Sequence, residues 1–244
     1  MLQGLYAAAS GMEAQQNQFN AISNDLANLN TPGYEATQLG FQDLLYSGAG
    51  GSSGTTVATG TGSSSQVFGR SQAQGALQQT GNPLDVAIQG EGFIQVRRSD
   101  GSTGLTRNGT LQTNSQGELT DQDGNPLQPP IKLPAGTNAS DMHIAANGDV
   151  TVGGSKVGTI SIVTVPAPNQ LQPDGDSLFS ATAGSGATRP AQGSTLQQGS
   201  LEASNVDVGQ AMSDMISAQR SYQMSSEAVQ YQDQMLQIAD QLRK

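Results

Sequence analysis

The chain reads as an α+β protein: N- and C-terminal helices forming a coiled-coil-like pair, with an antiparallel all-β domain inserted between them. Three observations predict this. Apolar residues near both ends recur at alternating spacings of three and four, the seam a helix needs to lie along another helix. The apolar period falls to two in the middle. Glycine-containing turn dipeptides punctuate that middle.

At the start, Leu5, Ala8, Met12, Gln15, Phe19, Ile22, Leu26 and Leu29 carry the rhythm. The spacing predicts a helix over 2–28, ~40 Å long at 1.5 Å per residue. It stops at Asn28-Leu29-Asn30-Thr31-Pro32-Gly33-Tyr34: Pro32 disfavours helix at Thr31, and Pro-Gly supplies the centre of a type II turn. A short apolar segment, Phe41-Gln42-Asp43-Leu44-Leu45-Tyr46, follows. Residues 47–66 are almost wholly Gly, Ser, Thr and Ala apart from Val57, a composition that alone makes a flexible linker and against a partner an extended arm.

From about Val67, Leu84-Asp85-Val86-Ala87-Ile88 and Phe93-Ile94-Gln95-Val96 read as strands, parted by Gln89-Gly90-Glu91-Gly92. Asp100-Gly101, Asn108-Gly109, Gln116-Gly117, Asp123-Gly124 and Asn147-Gly148 follow, and Asn-Gly or Asp-Gly between short alternating runs signals hairpins. Ile131-Lys132-Leu133 and the run from Gly158 to Val165 add further strand material, and 184–199 is loop-like. The second helix is expected to start near Ser204-Asn205, either of which could cap it, and to run to the end of the chain. Its seam is Val208, Ala211, Met215, Ala218, Tyr222, Ser225, Val229, Gln232, Leu236 and Ala239. The expected division is a helical assembly core from 1–34 and 201–244, an extended Gly/Ser-rich arm from 35–75, and a β-rich outer domain from 76–200.

Composition narrows the function. Hydrophobic residues make up 34% and aromatics 4%, with no Trp, so one large core is not expected. Charged residues are only 12%, which suits surfaces packed against many neighbours, where each buried charge needs a partner. A net charge of −10, with Arg97-Arg98 and Arg243-Lys244 the only adjacent basic pairs, argues against nucleic acid, whose phosphates call for clustered Lys and Arg. No apolar run approaches the ~18 residues of a membrane span. Met1-Leu2-Gln3-Gly4-Leu5 lacks the basic and apolar regions of a cleavable signal, so the expectation is the cytoplasm or export without signal cleavage. The absence of Cys excludes disulfides.

Motifs for catalysis or metal binding fail on inspection. Asp121-Gln122-Asp123-Gly124-Asn125 begins like a calcium loop, but Pro126 stands at its sixth place and Lys132 where the bidentate Glu belongs; a hairpin turn is the better reading. Gly90-Glu91-Gly92 lacks the third glycine of a dinucleotide motif and precedes a strand. His143 is the only histidine, and no nucleophile motif lies near it. Glu118 with Asp121 could serve a glycosidase, yet aromatic platforms for sugar are missing. No catalytic residue, metal ligand or cofactor is expected.

Three signatures stand out: Ser23-Asn24-Asp25-Leu26-Ala27-Asn28-Leu29-Asn30-Thr31-Pro32-Gly33-Tyr34, then Leu84-Asp85-Val86-Ala87-Ile88-Gln89-Gly90-Glu91-Gly92-Phe93 with Leu105-Thr106-Arg107-Asn108-Gly109, and Leu201-Glu202-Ala203-Ser204-Asn205-Val206-Asp207 with Met215-Ile216-Ser217-Ala218-Gln219-Arg220-Ser221-Tyr222. Through them the chain resembles the axial proteins of the bacterial flagellum, the rod and hook family. Within the family, the segment 41–46 followed by a polar arm is most similar to the distal-rod members. The resemblance implies a structural subunit exported through the flagellar type III apparatus and located in the basal body of the cell envelope. It implies self-assembly into a helical tube carrying torque from motor to hook, with other copies, other rod proteins and the hook protein as partners.

The expected self-assembly seam is Leu5, Met12, Phe19, Ile22, Leu26, Leu29, Val208, Met215, Tyr222, Val229 and Leu236. The expected angle-setting turn is Asn28, Asn30, Thr31, Pro32, Gly33 and Tyr34. Two other readings compete: a β-rich hydrolase of cell-wall glycan using carboxylates, and a secreted adhesin or tail-fibre component.

Overall fold

The computed structural model describes residues 2–44, 46–49, 57–60, 62–134 and 136–242. It is α+β, with a helix at each end and antiparallel β structure between them. The chain divides into two compact units, a helical unit of Met1–Ala27, Thr37–Phe68 and Asp207–Lys244, and a β unit of Asn28–Ala36 and Gly69–Val206.

In the helical unit, α1 spans Leu2–Ala27 and α2 spans Val208–Leu242. Both are rich in Ala, Gln, Met and Leu and free of Pro, residues that lose little rotamer freedom in a helix. A cap at Ser204 or Asn205 was the expectation; Asp207 takes that role. Its Oδ1 accepts from the amides of Gly209 at 2.8 Å and Gln210 at 3.1 Å, satisfying two of the donors a helix start leaves open. Asn205 is occupied elsewhere, as shown below.

The two helices pack on each other in antiparallel sense. A Cβ on Gly4 would fall 2.5 Å from Gln232 Nε2, one on Gly11 would lie 3.9 Å from Ser225 Oγ, and Phe19 shares a groove with Met215. Ascending numbers on α1 thus meet descending numbers on α2. Between the helices the chain forms two antiparallel ribbons, Thr37–Asp43 with Ser63–Arg70 and Tyr46–Ala49 with Val57–Gly60. Residues 50–56 and 61 of the polar arm lie outside the described residues. The first ribbon is tied to α1 by side chains: both Asp25 carboxylate oxygens accept from the Thr37 amide at 3.1 Å, and the Asn17 amide donates to Ser65 Oγ at 3.2 Å.

The β unit is built on a six-stranded antiparallel sheet, in the order Gln172–Gly175, Leu178–Ser180, Thr103–Thr106, Phe93–Arg97, Ile162–Thr164, Arg189–Pro190. Both faces are covered. Ile94 and Val96 enter a core with Val86, Ile88, Leu119 and Val150, while Phe93 joins Leu105, Val163, Leu171 and Phe179 on the other face. The Phe93 and Phe179 rings meet edge to face, 5.8 Å between centroids. A three-stranded sheet of Met142–Ile144, Asp149–Val152 and Ser155–Thr159 adds Met142, Ile144 and Val150 to the first core. The pairs Val86–Gln89 with Thr195–Gln198 and Leu77–Gln79 with Ser200–Glu202 bring both ends of the unit's main segment together.

Four of the five Gly dipeptides turn the chain as expected, with positive φ at Gly101, Gly117, Gly124 and Gly148. Asn108-Gly109 does not make a hairpin. Gly109 is there for close approach: its carbonyl accepts from the Val86 amide at 3.0 Å, and a Cβ would sit 1.5 Å from Val86 O. The apolar run 158–165, which reads as one strand, breaks after Thr159, and its second half enters the six-stranded sheet instead. Among the described residues, no helix is long and apolar enough to cross a membrane.

Candidate functional site

The helix pair has two faces. Among the described residues, Ala14 and Ala218 are its fully buried apolar side chains, and Leu5, Met12, Phe19, Ile22, Leu26, Val208, Met215 and Val229 are half-buried in the isolated chain. Tyr222 flanks this seam, 41% exposed, and lines a groove of about 300 Å³ with Gln15, Phe19, Met215 and Ala218. Leu29, grouped with the seam by spacing, lies past the end of α1. The Asn28 carbonyl accepts from the Thr31 amide at 3.1 Å and ends the helix there, and Leu29 lines a small polar cavity of the β unit with Asn30, Pro32, Gln78 and Leu201. Leu236 lies outside the residues whose side chains are described.

A second apolar stripe lies outside the seam. Met212, Ile216, Met224, Tyr231, Met235 and Ile238 are each more than half exposed. At 100° per residue they fall on the side of α2 opposite Ala211, Ala218, Ser225 and Val229. The signal was present as spacings of three, four, seven and eight between large apolar residues, but the stripe nearer the helix start, shared with α1's rhythm, masked it.

In the β unit, the three sequence signatures converge on one arginine. Arg107, 3% exposed, donates through Nε to Glu202 Oε2 at 3.2 Å and through Nη2 to the Gly90 carbonyl at 3.0 Å. Its guanidinium carbon stands 5.9 Å from the centre of the Phe93 ring. Glu202 accepts in turn from the Gly75 amide at 2.9 Å, and its own carbonyl accepts from the Gly33 amide at 2.8 Å. The turn expected at Pro32-Gly33 is present: the Tyr34 amide donates to Thr31 O, and Gly33 has φ +67°, the geometry a type II turn demands at its third residue. A Cβ there would lie 2.6 Å from the backbone of Arg107 and Asn108, so glycine is required by both conformation and space.

Asn205 closes this cluster. Its Oδ1 accepts from the Ala36 amide at 2.7 Å, its Nδ2 donates to the carbonyls of Ser71 and Ala73, and its backbone amide donates to Tyr34 O. Arg70 adds Nη1 to the Glu35 carbonyl at 2.8 Å and lies over the Tyr34 ring. Three of the segments through which the chain leaves the β unit, at residues 36, 69 and 206, are thereby tied to one another within it. Sequence reasoning named the turn and placed Arg107, Glu202 and Asn205 in its signatures without pairing them, and it missed Glu35 and Arg70, because which charges pair across 95 residues is not written in local spacing.

Glu35, 4% exposed, is the unusual member. Burial raises its carboxyl to about 7, the Arg107 charge opposes this, and the Glu202 charge adds to it. Elsewhere the polar candidates are occupied structurally. Asp121 accepts from the amides of Asp123 and Asn125, as a hairpin turn requires. Glu118 pairs with Lys132 at 3.0 Å. His143 is exposed beside a shallow cavity with Ser140, Asp141 and Gln198. Among the described residues no cluster of His, Asp or Glu is arranged to hold a metal.

Comparison with known proteins defines the class. Residues 5–34 match the family described as flagella basal body rod protein, 87–152 match the flagellar hook protein FlgE/F/G D1 domain, and 197–242 match the flagellar basal body rod FlgEFG protein C-terminal family. The flagellar basal-body rod protein FlgG of Caulobacter vibrioides is 40% identical, covering 99% of this chain and all of that one. Those of Agrobacterium fabrum and Borreliella burgdorferi are 36% and 35% identical, covering 97% and 100% of this chain and 98% and 100% of theirs. The chain belongs to the flagellar basal-body rod protein family. It is a structural rod subunit of the distal-rod kind, located in the flagellar basal body of the cell envelope, and it is not an enzyme. The glycan-hydrolase and adhesin readings are set aside by these relatives.

Proposed function

We propose that the subunit assembles with copies of itself into a helical tube that transmits torque from motor to hook, its two terminal helices pairing in coiled-coil fashion. The observation that carries this is the two-sided α2. One side packs on α1, and the other offers Met212, Ile216, Met224, Tyr231, Met235 and Ile238 to solvent. A lone surface helix gains nothing from a second apolar stripe, whereas a helix between two neighbours buries both. Each large residue so covered contributes roughly 1.5–3 kcal/mol, repeated at every subunit. A copy-to-copy operation that does not close on itself yields a filament.

In this reading the seam residues Leu5, Met12, Phe19, Ile22, Leu26, Val208, Met215, Tyr222, Val229 and Leu236 hold the helix pair within and between subunits. The turn from Asn28 to Tyr34 sets the angle at which the chain leaves α1. The domain roles follow: 1–34 and 201–244 form the assembly core, 35–75 an arm between subunits, and 76–200 the outer domain. Other rod proteins and the hook protein cap the two ends, and delivery is through the flagellar export apparatus.

Met224→Asp and Tyr231→Asp test the proposal. Electron microscopy of concentrated protein is expected to show filaments for wild type and none for either variant, with the thermal unfolding of the β unit unchanged. Variants that polymerise as well as wild type overturn it.

A further inference from the structure

The rod assignment leaves Glu35 without a task. We propose that Glu35 is a proton-operated latch on the Pro32-Gly33 turn: with the carboxyl protonated the turn is held firmly, and with it ionised a second buried carboxylate competes for one guanidinium and the hold weakens. Arg107 is already committed. Its Nε serves Glu202 and its Nη2 serves Gly90, leaving Nη1 3.9 Å from Glu35 Oε1, beyond hydrogen-bond reach.

The other groups facing Glu35 do not make good the deficit. Arg70, at the end of the ribbon strand Ser63–Arg70, spends its Nη1 on the Glu35 backbone carbonyl and its face on Tyr34. Glu202, from Ser200–Glu202, is a like charge. The Gln72 amide stands close enough to favour the ionised form weakly, yet Gln72 Nε2 and Glu35 Oε1 both lack a hydrogen-bond partner among the described residues. A buried carboxylate with an unpartnered oxygen is costly, and a proton removes the cost.

The direction follows from linkage. The folded chain holds the Glu35 proton up to about pH 7, whereas the unfolded chain releases it near the ordinary carboxyl value of 4.5. Between those values the native state binds more protons, so stability falls as pH rises from 4.5 to 7 and then levels. The contribution is complete below 4.5 and lost above 7. Glu35 sits two residues beyond Gly33, whose amide is held by the Glu202 carbonyl, so the loss is felt at the turn.

Carbon-detected titration of the glutamate carboxyls in the full-length monomer tests this, with Glu35 assigned through its own side-chain connectivity. A Glu35 midpoint near 7 is expected, and a midpoint in the ordinary range of 4 to 5 overturns the proposal. Urea unfolding at pH 5 and pH 8 gives the second reading. The unfolding constant of wild type is expected to rise roughly 70-fold more than that of Glu35→Gln, and equal rises overturn the proposal. Should Glu35→Gln fail to fold, the wild-type titration decides alone.

Discussion

The helical unit and the β unit use apolar residues in opposite ways. In the β unit Val86, Ile88, Ile94, Leu119 and Val150 are each at most 1% exposed, and the buried Arg107 faces two carboxylates. Among the described residues of the helical unit, Ala14 and Ala218 alone of the apolar side chains are fully buried, while Met224 and Tyr231 are each 64% exposed. One unit covers its apolar side chains internally, and the other keeps large apolar side chains in reserve. The contrast follows from period. A strand of period two in a stacked sheet has both faces covered by the same chain. A single helix against one partner covers a stripe and leaves its far side bare.

The contrast can be broken from the closed side first. Arg107→Ala leaves Glu202 buried without its ion-pair partner and Glu35, when ionised, with Arg70 as its remaining cation, and is expected to lower stability by about 3–5 kcal/mol. Urea unfolding followed by circular dichroism measures it, and a loss below about 1 kcal/mol would mean that water reaches the cluster. Gly33→Ala meets both the positive φ and the backbone of Arg107, and an expected loss of about 3 kcal/mol should appear in the same measurement without altering helix content. Asp207→Ala removes only the cap of α2. A loss of about 1 kcal/mol is expected, seen as faster amide exchange over the first turn of α2, with the β unit's exchange unchanged. Equal changes in both units after Asp207→Ala would show that the two unfold as one.

Much of this was legible beforehand. Both helices, the stop at Asn28, the Pro32-Gly33 turn and four of five Gly turns follow from local rules: periodicity, a missing amide hydrogen, and tolerance of positive φ. The misses have one origin. Ser204 and Asn205 are good caps by type, yet Asn205 is drawn to Ala36, Ser71 and Ala73, and capping passes to Asp207. Asn108-Gly109 has the composition of a hairpin, but Val86 takes the space a hairpin would use. The run 158–165 is uniformly strand-like, and only its neighbours cause it to change sheets after Thr159.

The sequence by itself determined where helices run, where they stop, and which faces of them are apolar, since these depend on residues within a few positions of one another. Tertiary structure alone decided that three distant signatures meet at Arg107, that Glu35 lacks a full partner, and that α2 has one stripe covered and one bare. Those outcomes depend on which buried charges and apolar faces reach each other through space, and desolvation acts on the assembled neighbourhood of a group, not on its place in the chain.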